Sequence, residues 1–279
     1  MMLKQRIITA VVLLAILLPA LFYPSPVPFC FVALVLIAAG GWEWGRLNGL
    51  AQAGSLGIAL CCIVLCSAAW TFGWLRQPLP WLWAIAGAVW VVGGGTLLTC
   101  GVKGWTGIPS VLRLPGGVVA LSMAWLAIAQ ARVLGIEFLL SVMLLVWVAD
   151  IGAYFAGRRF GGRFSRSKLA PSISPGKSWE GVWGGMLGVM LLAGAWLGAN
   201  PGGQSLFHRL LEQHGVTIMV LSLVFLAAMS VVGDLVESLI KRSAGAKDSS
   251  GLLPGHGGVL DRVDALLPTL PLAMMLLSF

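Results

Sequence analysis

The chain has 279 residues, of which 58% are hydrophobic and only 10% are charged. A soluble domain carries about 25% charged residues, so this composition excludes a water-soluble fold and predicts an integral membrane protein. The formal net charge of +8 then indicates Lys and Arg in loops beside anionic lipid, and no nucleic acid partner is expected.

Nine stretches are apolar over roughly the 20 residues that a helix needs to cross a bilayer. They predict an all-α polytopic membrane protein with about nine transmembrane helices and a polar active site facing the cytoplasm. The last stretch is short and contains Pro268 and Pro271, so it is the least regular of the nine. The stretches are 7–23, 27–45, 54–75, 81–101, 115–132, 137–157, 181–199, 216–240 and 265–279.

Lys and Arg are distributed unevenly between the loops. If the N-terminus is cytoplasmic and nine spans alternate, 15 of the 18 basic residues lie inside, as the positive-inside rule requires. Both long polar loops, 158–180 and 241–264, then face the cytoplasm. We therefore predict a multi-pass protein of the bacterial cytoplasmic (inner) membrane. The inside set is Lys4, Arg6, Arg46, Lys103, Arg113, Arg158, Arg159, Arg163, Arg166, Lys168, Lys177, Lys241, Arg242, Lys247 and Arg262.

Chemistry is concentrated in the second half of the chain. Residues 1–135 form an N-terminal region of about five spans, and residues 136–279 form a catalytic region of about four spans and the two loops. Glu43, the only acidic residue before position 136, lies between Trp42 and Trp44 at a helix end. We expect it to be an interfacial anchor.

The first polar cluster extends from 150 to 180. Asp150 and Tyr154 are four residues apart and share one helix face. The basic residues that follow are each explained by the positive-inside rule. Together with Ser174 and Lys177 they also suit an anionic phosphate ligand. Asp150, Tyr154, Ser174 and Lys177 are therefore candidate substrate-binding residues.

The second polar cluster begins in the eighth apolar stretch. Asp234 and Ser238 are i and i+4, and Lys241 continues the same helix face. Asp261 and Asp264 follow a glycine-rich loop. Oxygen ligands without a Cys or His cluster suit a hard cation such as Mg²⁺. The alternative is a set of ion pairs joining two helices.

Basic residues in this second cluster supply the positive charge that a polyphosphate requires. They are Lys241, Arg242, Lys247 and Arg262. His256 is the only histidine near them, and its role stays open between a general acid, a phosphate donor and a loop-ordering hydrogen bond.

These residues resemble the signature of the phosphatidate cytidylyltransferase family, also called CDP-diacylglycerol synthase. Over 27 positions the spacing is unbroken, and residues 150–181 also resemble the family's second conserved region. The first half matches only as several apolar spans. The signature residues here are Ser238, Lys241, Arg242, Lys247, Asp248, Ser250, Leu253, Pro254, His256, Gly257, Gly258, Asp261, Arg262 and Asp264.

The resemblance implies that CTP and phosphatidate react to give CDP-diacylglycerol and pyrophosphate in phospholipid biosynthesis. It implies a paired metal site, Mg²⁺ with a second cation, at Asp234 and Asp261 with Ser238 assisting. On this view Asp261→Asn should remove activity and leave the melting temperature nearly unchanged. The remaining candidates are catalytic Lys241, Arg242, His256 and Asp264, and substrate-binding Lys247, Asp248 and Arg262.

Two other functions and the oligomeric state stay open. A cytidylyltransferase for another lipid phosphate would use the same polar residues. A transporter of anionic phosphate compounds would need a polar pathway to both membrane faces, whereas the charged residues gather on one side. Partners beyond the bilayer and the two substrates, a homodimer included, are not indicated by the residues themselves.

Overall fold

In the part of the chain that the computed structural model describes, residues 2–165 and 167–279, every regular element is a helix. Side chains are described from Lys4 onward, and Arg166 lies outside the described residues. The predicted all-α class is confirmed. The helices are α1 Met2–Phe22, α2 Val27–Leu47, α3 Gln52–Thr71, α4 Pro80–Ala88, α5 Gly94–Gly107, α6 Ser110–Leu134, α7 Ile136–Phe160, α8 Trp179–Ala199, α9 Leu206–Ser243, α10 Leu260–Val263 and α11 Leu266–Leu276.

Eight helices of the described chain, rather than nine, are long and apolar enough to cross a membrane. A π-helical turn, Val89–Gly93, joins α4 and α5 into one span. The predicted ninth span is wrong because α11 has only 11 residues. At 1.5 Å per residue it covers about 17 Å, well short of the ~30 Å hydrocarbon core. It packs against α4, α6 and α9.

Two span boundaries coincide with glycines whose backbone leaves the helix. Gly101 has φ 65° inside α5, and Gly215 has φ 76° inside α9. L-residues with side chains rarely adopt this region, so these glycines allow a break without strain. The predicted ends at 101 and 216 therefore mark real changes of helix direction.

Helices α7 and α8 approach closely through glycines. A Cβ at Gly152 would lie 2.8 Å from the Gly184 carbonyl oxygen, and one at Gly185 would lie 2.6 Å from the Ala149 carbonyl oxygen. Such close backbone approach is typical of membrane helix pairs that pack through small residues. This contact fixes Asp150, which lies between Ala149 and Gly152 on α7.

The two polar loops lie on the same side of the helix array. Because the spans alternate in direction, the α7–α8 loop at 161–178 and the α9–α10 loop at 244–259 emerge at one face. Direct contacts agree with this, since Arg242 Nε donates to the Ile173 carbonyl at 3.5 Å. The start of α1 is at the same face, where Arg6 Nε donates to the Gly255 carbonyl at 3.0 Å.

Candidate active site

An ion pair joins the two polar clusters predicted from the sequence. Lys177 Nζ, at the end of the 161–178 loop, lies 2.6 Å from Asp234 Oδ2 on α9. Ser238, one turn further along α9, donates to Asp234 Oδ1 at 3.3 Å. The predicted shared face of Asp234 and Ser238 is confirmed, and Lys177 places a cation against it.

Lys241 continues that face and pairs with two carboxylates. Its Nζ lies 2.5 Å from Glu237 Oε2 and 2.6 Å from Asp261 Oδ1. All three side chains are largely buried, with exposures of 13% for Lys241 and 6% for each carboxylate. The ion-pair alternative thus describes the Lys241–Asp261 part of the site. Glu237 was not among the candidates, although its i to i+4 spacing from Lys241 is a usable signal.

Asp261 accepts hydrogen bonds on both carboxylate oxygens. Oδ1 receives Lys241, while Oδ2 receives the Ser249 backbone N–H at 2.9 Å, the Ser249 hydroxyl at 2.9 Å and the Gly258 N–H at 2.8 Å. Burial opposes ionisation, but these donors outweigh it and lower the pKa of Asp261 to about 2. Asp261 therefore stays charged and fixes the loop before it.

Two glycines of the loop leave room for this arrangement. Gly257 has φ 82°, and a Cβ there would lie 2.7 Å from Asp261 Oδ2. A Cβ at Gly258 would overlap the Ser249 hydroxyl and the Glu43 carboxylate. A side chain at either position would displace the acceptors that hold the loop, which explains the Gly-Gly pair before Asp261.

Glu43 is a residue whose place in the site the sequence analysis missed. It is 0% exposed, so the expectation of an interfacial anchor is wrong. Oε1 accepts from the Ser250 hydroxyl at 2.5 Å and the Val259 N–H at 2.9 Å. Oε2 accepts from the Leu260 N–H at 2.7 Å, and it lies 3.1 Å from the Ser249 hydroxyl, which it shares with Asp261 Oδ2. A lone carboxylate in an apolar half was the available signal.

A second buried glutamate, Glu180 of α8, holds the other polar loop. Its Oε1 accepts from the backbone N–H groups of Phe164 at 3.0 Å and Ser165 at 2.7 Å. At the other end of this loop, the Ser174 carbonyl accepts from the Lys177 N–H at 3.2 Å. The loop is therefore fixed near both ends, which holds Lys177 over Asp234.

The remaining candidates divide between exposed side chains and loop contacts. Arg242, Lys247 and Asp248 are exposed in or beside the 244–259 loop. Arg262 donates to the His256 carbonyl from Nε at 2.9 Å and Nη2 at 2.6 Å. His256 is thus tied into the loop through its backbone.

Tyr154 and Asp150 lie on α7 at the rim of the site. Tyr154 is 58% exposed, and its hydroxyl accepts from Arg158 Nη1 at 3.1 Å. Asp150 is also exposed. Their shared face leaves both side chains open to a ligand approaching from the loops.

The carboxylates of Asp150, Asp234 and Asp264 lie close enough to influence one another's ionisation. Burial, and then the negative charge of Asp234, raise the pKa of Asp264 well above its usual range, and Asp150 acts in the same direction. Their mutual repulsion would be relieved by a cation.

The donor set fits a magnesium ion only in part. Mg²⁺ is usually held by one or two carboxylates together with water and substrate phosphates. Asp234 Oδ1 and Ser238 Oγ provide hard oxygen ligands of this kind. Asp261 fits less well, because it is 6% exposed and four donors face its two oxygens, whereas Asp234 is 32% exposed and meets only Ser238 and Lys177. Within residues 2–165 and 167–279, no three or more His, Cys, Asp or Glu side chains form a metal-binding group.

An apolar cavity of about 360 Å³ lies beside the other face of α9. Its lining includes Gly233, Val236 and Ile240 of α9, and Leu260 of α10. Its other walls come from α2, α4, α5, α6 and α11, and Arg113 and Glu237 add charge. The volume is within the ~300–1,000 Å³ of ligand pockets. Helix α9 thus has the polar and charged side chains of the site on one face and lines an apolar cavity with the other.

The helical bundle brings together carboxylates, an apolar cavity and clustered Lys and Arg side chains that suit a phosphate ligand. These features define a membrane enzyme that acts on a charged lipid. The model for the cytidylyltransferase family matches residues 4–279, and the chain belongs to that family.

Curated relatives cover nearly the whole chain. The chain is 40% identical over 281 residues to a phosphatidate cytidylyltransferase of Pseudomonas aeruginosa, an alignment spanning 99% of this chain and 97% of that protein. It is 35% identical over 296 residues to one of Haemophilus influenzae, spanning 97% and 96%. A Brucella suis phosphatidate cytidylyltransferase is 35% identical over 282 residues, spanning 95% and 89%. The predicted family is therefore confirmed.

Proposed function

We propose that this enzyme transfers the cytidylyl group of CTP to phosphatidate and releases pyrophosphate. A phosphate oxygen of phosphatidate bonds to the α-phosphorus of CTP, and the bond from that phosphorus to the β-phosphate oxygen breaks. The products are CDP-diacylglycerol and pyrophosphate. The observation that carries the proposal is the Lys177–Asp234 pair, which joins the 161–178 loop to α9, the helix that also lines the apolar cavity.

The residues act by positioning and electrostatics. The attacking group is already anionic, so no side-chain nucleophile is needed; the difficulty is to bring two anions together. Lys177, Arg242 and Lys247 supply positive charge for the phosphates. Lys241 holds Asp261 and the loop that carries Lys247.

The charge balance of these residues and the phosphates would be completed by a divalent cation. Asp234 and Ser238 would hold Mg²⁺, which when bound neutralises charge on the phosphates. Asp234 orients both of its neighbours, since it accepts from Ser238 and pairs with Lys177. The predicted contribution of Asp261 as a ligand, and the second cation, stay predictions.

The apolar cavity offers a place for the acyl chains of the lipid. Its α9 lining residue Gly233 directly precedes Asp234, and its α10 lining residue Leu260 directly precedes Asp261. A lipid seated there would have its phosphate near the polar face of α9. This arrangement explains why the enzyme is embedded in the bilayer, because one substrate never leaves it.

The reaction can be tested with purified protein in detergent. With CTP, Mg²⁺ and dioleoyl phosphatidate, we expect pyrophosphate release that stops with EDTA and returns with added Mg²⁺. Release with a different lipid phosphate but not with phosphatidate would favour the alternative substrate. An absence of pyrophosphate with every lipid phosphate would contradict the proposal.

Lys177 should contribute directly to phosphate binding. Lys177→Ala removes the cation against Asp234 and should lower kcat/KM for CTP by roughly 10- to 100-fold, the worth of a charged hydrogen bond. Arg46→Ala is the control, because Arg46 is exposed and stacks on Trp42 at 4.7 Å. Equal effects of the two changes would show that Lys177 does not bind phosphate and only contributes to the positive charge of the cytoplasmic side.

We also propose that both polar loops face the cytoplasm of a bacterial cell. The support is the charge distribution, together with the shared face of the two loops. In a variant without native cysteines, Ser167→Cys and Ala244→Cys should resist an impermeant thiol reagent added to intact cells. Gln204→Cys, in the loop between α8 and α9, should be labelled. The opposite pattern would reverse the orientation. Ser249 is unsuitable for labelling because it is 4% exposed.

A further inference from the structure

Glu43 of α2 connects the N-terminal half of the protein to the loop before Asp261. Its two oxygens lie within hydrogen-bond distance of four donors, two serine hydroxyls and two backbone N–H groups, across more than 200 residues of sequence, and the single Ser249 hydroxyl is shared with Asp261. The donors come from both ends of one segment, Ser249 and Ser250 at its start and Val259 and Leu260 at its end. The carboxylate therefore closes the segment 249–260, here called the signature loop, onto α2.

The Ser249 hydroxyl connects Glu43 to Asp261 in the candidate active site. Ser249 Oγ lies 3.1 Å from Glu43 Oε2 and 2.9 Å from Asp261 Oδ2. Leu260, whose N–H is held by Glu43, directly precedes Asp261. Asp261 in turn holds Lys241 at 2.6 Å. A shift of Glu43 would thus be transmitted to Asp261 over two contacts and to Lys241 over a third.

We infer that Glu43 is a positioning residue for cytidylyl transfer: it fixes the signature loop so that Asp261 and Lys241 stay in place. Because the Glu43 carboxylate is buried, it needs hydrogen-bond donors from the protein. Glu43 is fully buried, and its carboxylate is held by the Ser250 hydroxyl, by the Val259 and Leu260 N–H groups and by the Ser249 hydroxyl that it shares with Asp261. Both N–H groups lose a buried acceptor if the carboxylate is changed, and unsatisfied buried donors are strongly unfavourable. The inference rests on the proposed function.

Glu43→Gln is the sharpest test, because it keeps the shape of the side chain. Each carboxylate oxygen accepts from one backbone N–H and lies within hydrogen-bond distance of one serine hydroxyl. A hydroxyl can rotate to accept from the amide NH₂, but a backbone N–H cannot. One of Val259 and Leu260 therefore faces a donor. We expect kcat per folded enzyme to fall roughly 10- to 100-fold, with faster hydrogen exchange at these two amides and unchanged exchange in α7 and α8.

Glu137→Gln is the matched control on the opposite face of the helix array. Glu137, at the start of α7, accepts from Trp196 at 3.1 Å, Asn200 at 3.0 Å and the Gln204 N–H at 2.7 Å. It holds a loop far from the site. This change should lower the melting temperature and leave kcat unchanged. Equal kcat losses for the two variants, or an unchanged kcat in folded Glu43→Gln, would overturn the inference.

A measurement on the wild type keeps the test decisive if Glu43→Gln does not fold. Hydrogen exchange resolved to single residues should show the Val259 and Leu260 amides strongly protected relative to exposed Gly251 of the same loop. Exchange of all three at one rate would mean that Glu43 does not hold the loop. Failure of the wild type to release pyrophosphate would instead contradict the proposed function, and the exchange pattern would still report on Glu43.

Discussion

Asp234→Asn should lower turnover by roughly 10³-fold, since a catalytic cation is worth several kcal/mol of transition-state stabilisation. The melting temperature should hardly change. Asparagine keeps an oxygen to accept from Ser238, and the side chain lies at the edge of the bundle with 32% exposure. What it removes is the negative charge that pairs with Lys177 at 2.6 Å and would hold Mg²⁺.

The magnesium dependence makes this result specific. Pyrophosphate release should be measured against Mg²⁺ concentration, and the residual activity of Asp234→Asn should require more Mg²⁺ than the wild type. Glu212→Gln is a fitting control, because Glu212 is an exposed acidic residue near the other end of α9. Wild-type turnover by Asp234→Asn at saturating Mg²⁺ would contradict a cation held by this carboxylate.

Of the nine spans predicted from hydropathy, eight are confirmed, because a bilayer requires long apolar helices that satisfy their own backbone groups. It was wrong for 265–279. Leu272 and Ala273 are buried by neighbouring helices, at 0% and 1% exposure, rather than by lipid. The hydropathy of an apolar segment is the same whether the segment is buried by protein or by lipid. The 11-residue length of α11 separates the two cases.

The local parts of the site could be predicted, and the long-range parts could not. The shared face of Asp234 and Ser238 follows from helix periodicity. No sequence pattern predicts the Lys177–Asp234 contact itself, although the charge distribution predicts that both polar loops lie at the same face. Glu43 stands out in the sequence as a lone carboxylate, but its contacts could not be predicted, because its serine partners lie 206 and 207 residues away. A spacing of that size carries no geometric information without the fold.

Asp261 is the residue at which sequence and structure suggest different roles. The family resemblance implies a metal ligand, whose replacement by Asn would leave stability intact. In the fold, its side chain is 6% exposed and receives Lys241 on one oxygen and three donors on the other. Motif spacing could place Asp261 near the site. It could not reveal that both carboxylate oxygens of Asp261 already accept hydrogen bonds from Lys241 and the loop.

Asp261→Asn should therefore lower both turnover and stability. The amide NH₂ must face either Lys241 or the N–H groups of Ser249 and Gly258, and these cannot accept from it. Breaking a buried ion pair typically destabilises by about 3–5 kcal/mol. We expect a clearly lower melting temperature in detergent, and turnover reduced by roughly 10³-fold once the loop is misplaced. Both should be measured on the same purified sample, with Asp234→Asn beside it. Lost turnover with a wild-type melting temperature would make Asp261 a direct metal ligand. Wild-type values of both would show that the Lys241–Asp261 pair serves neither role.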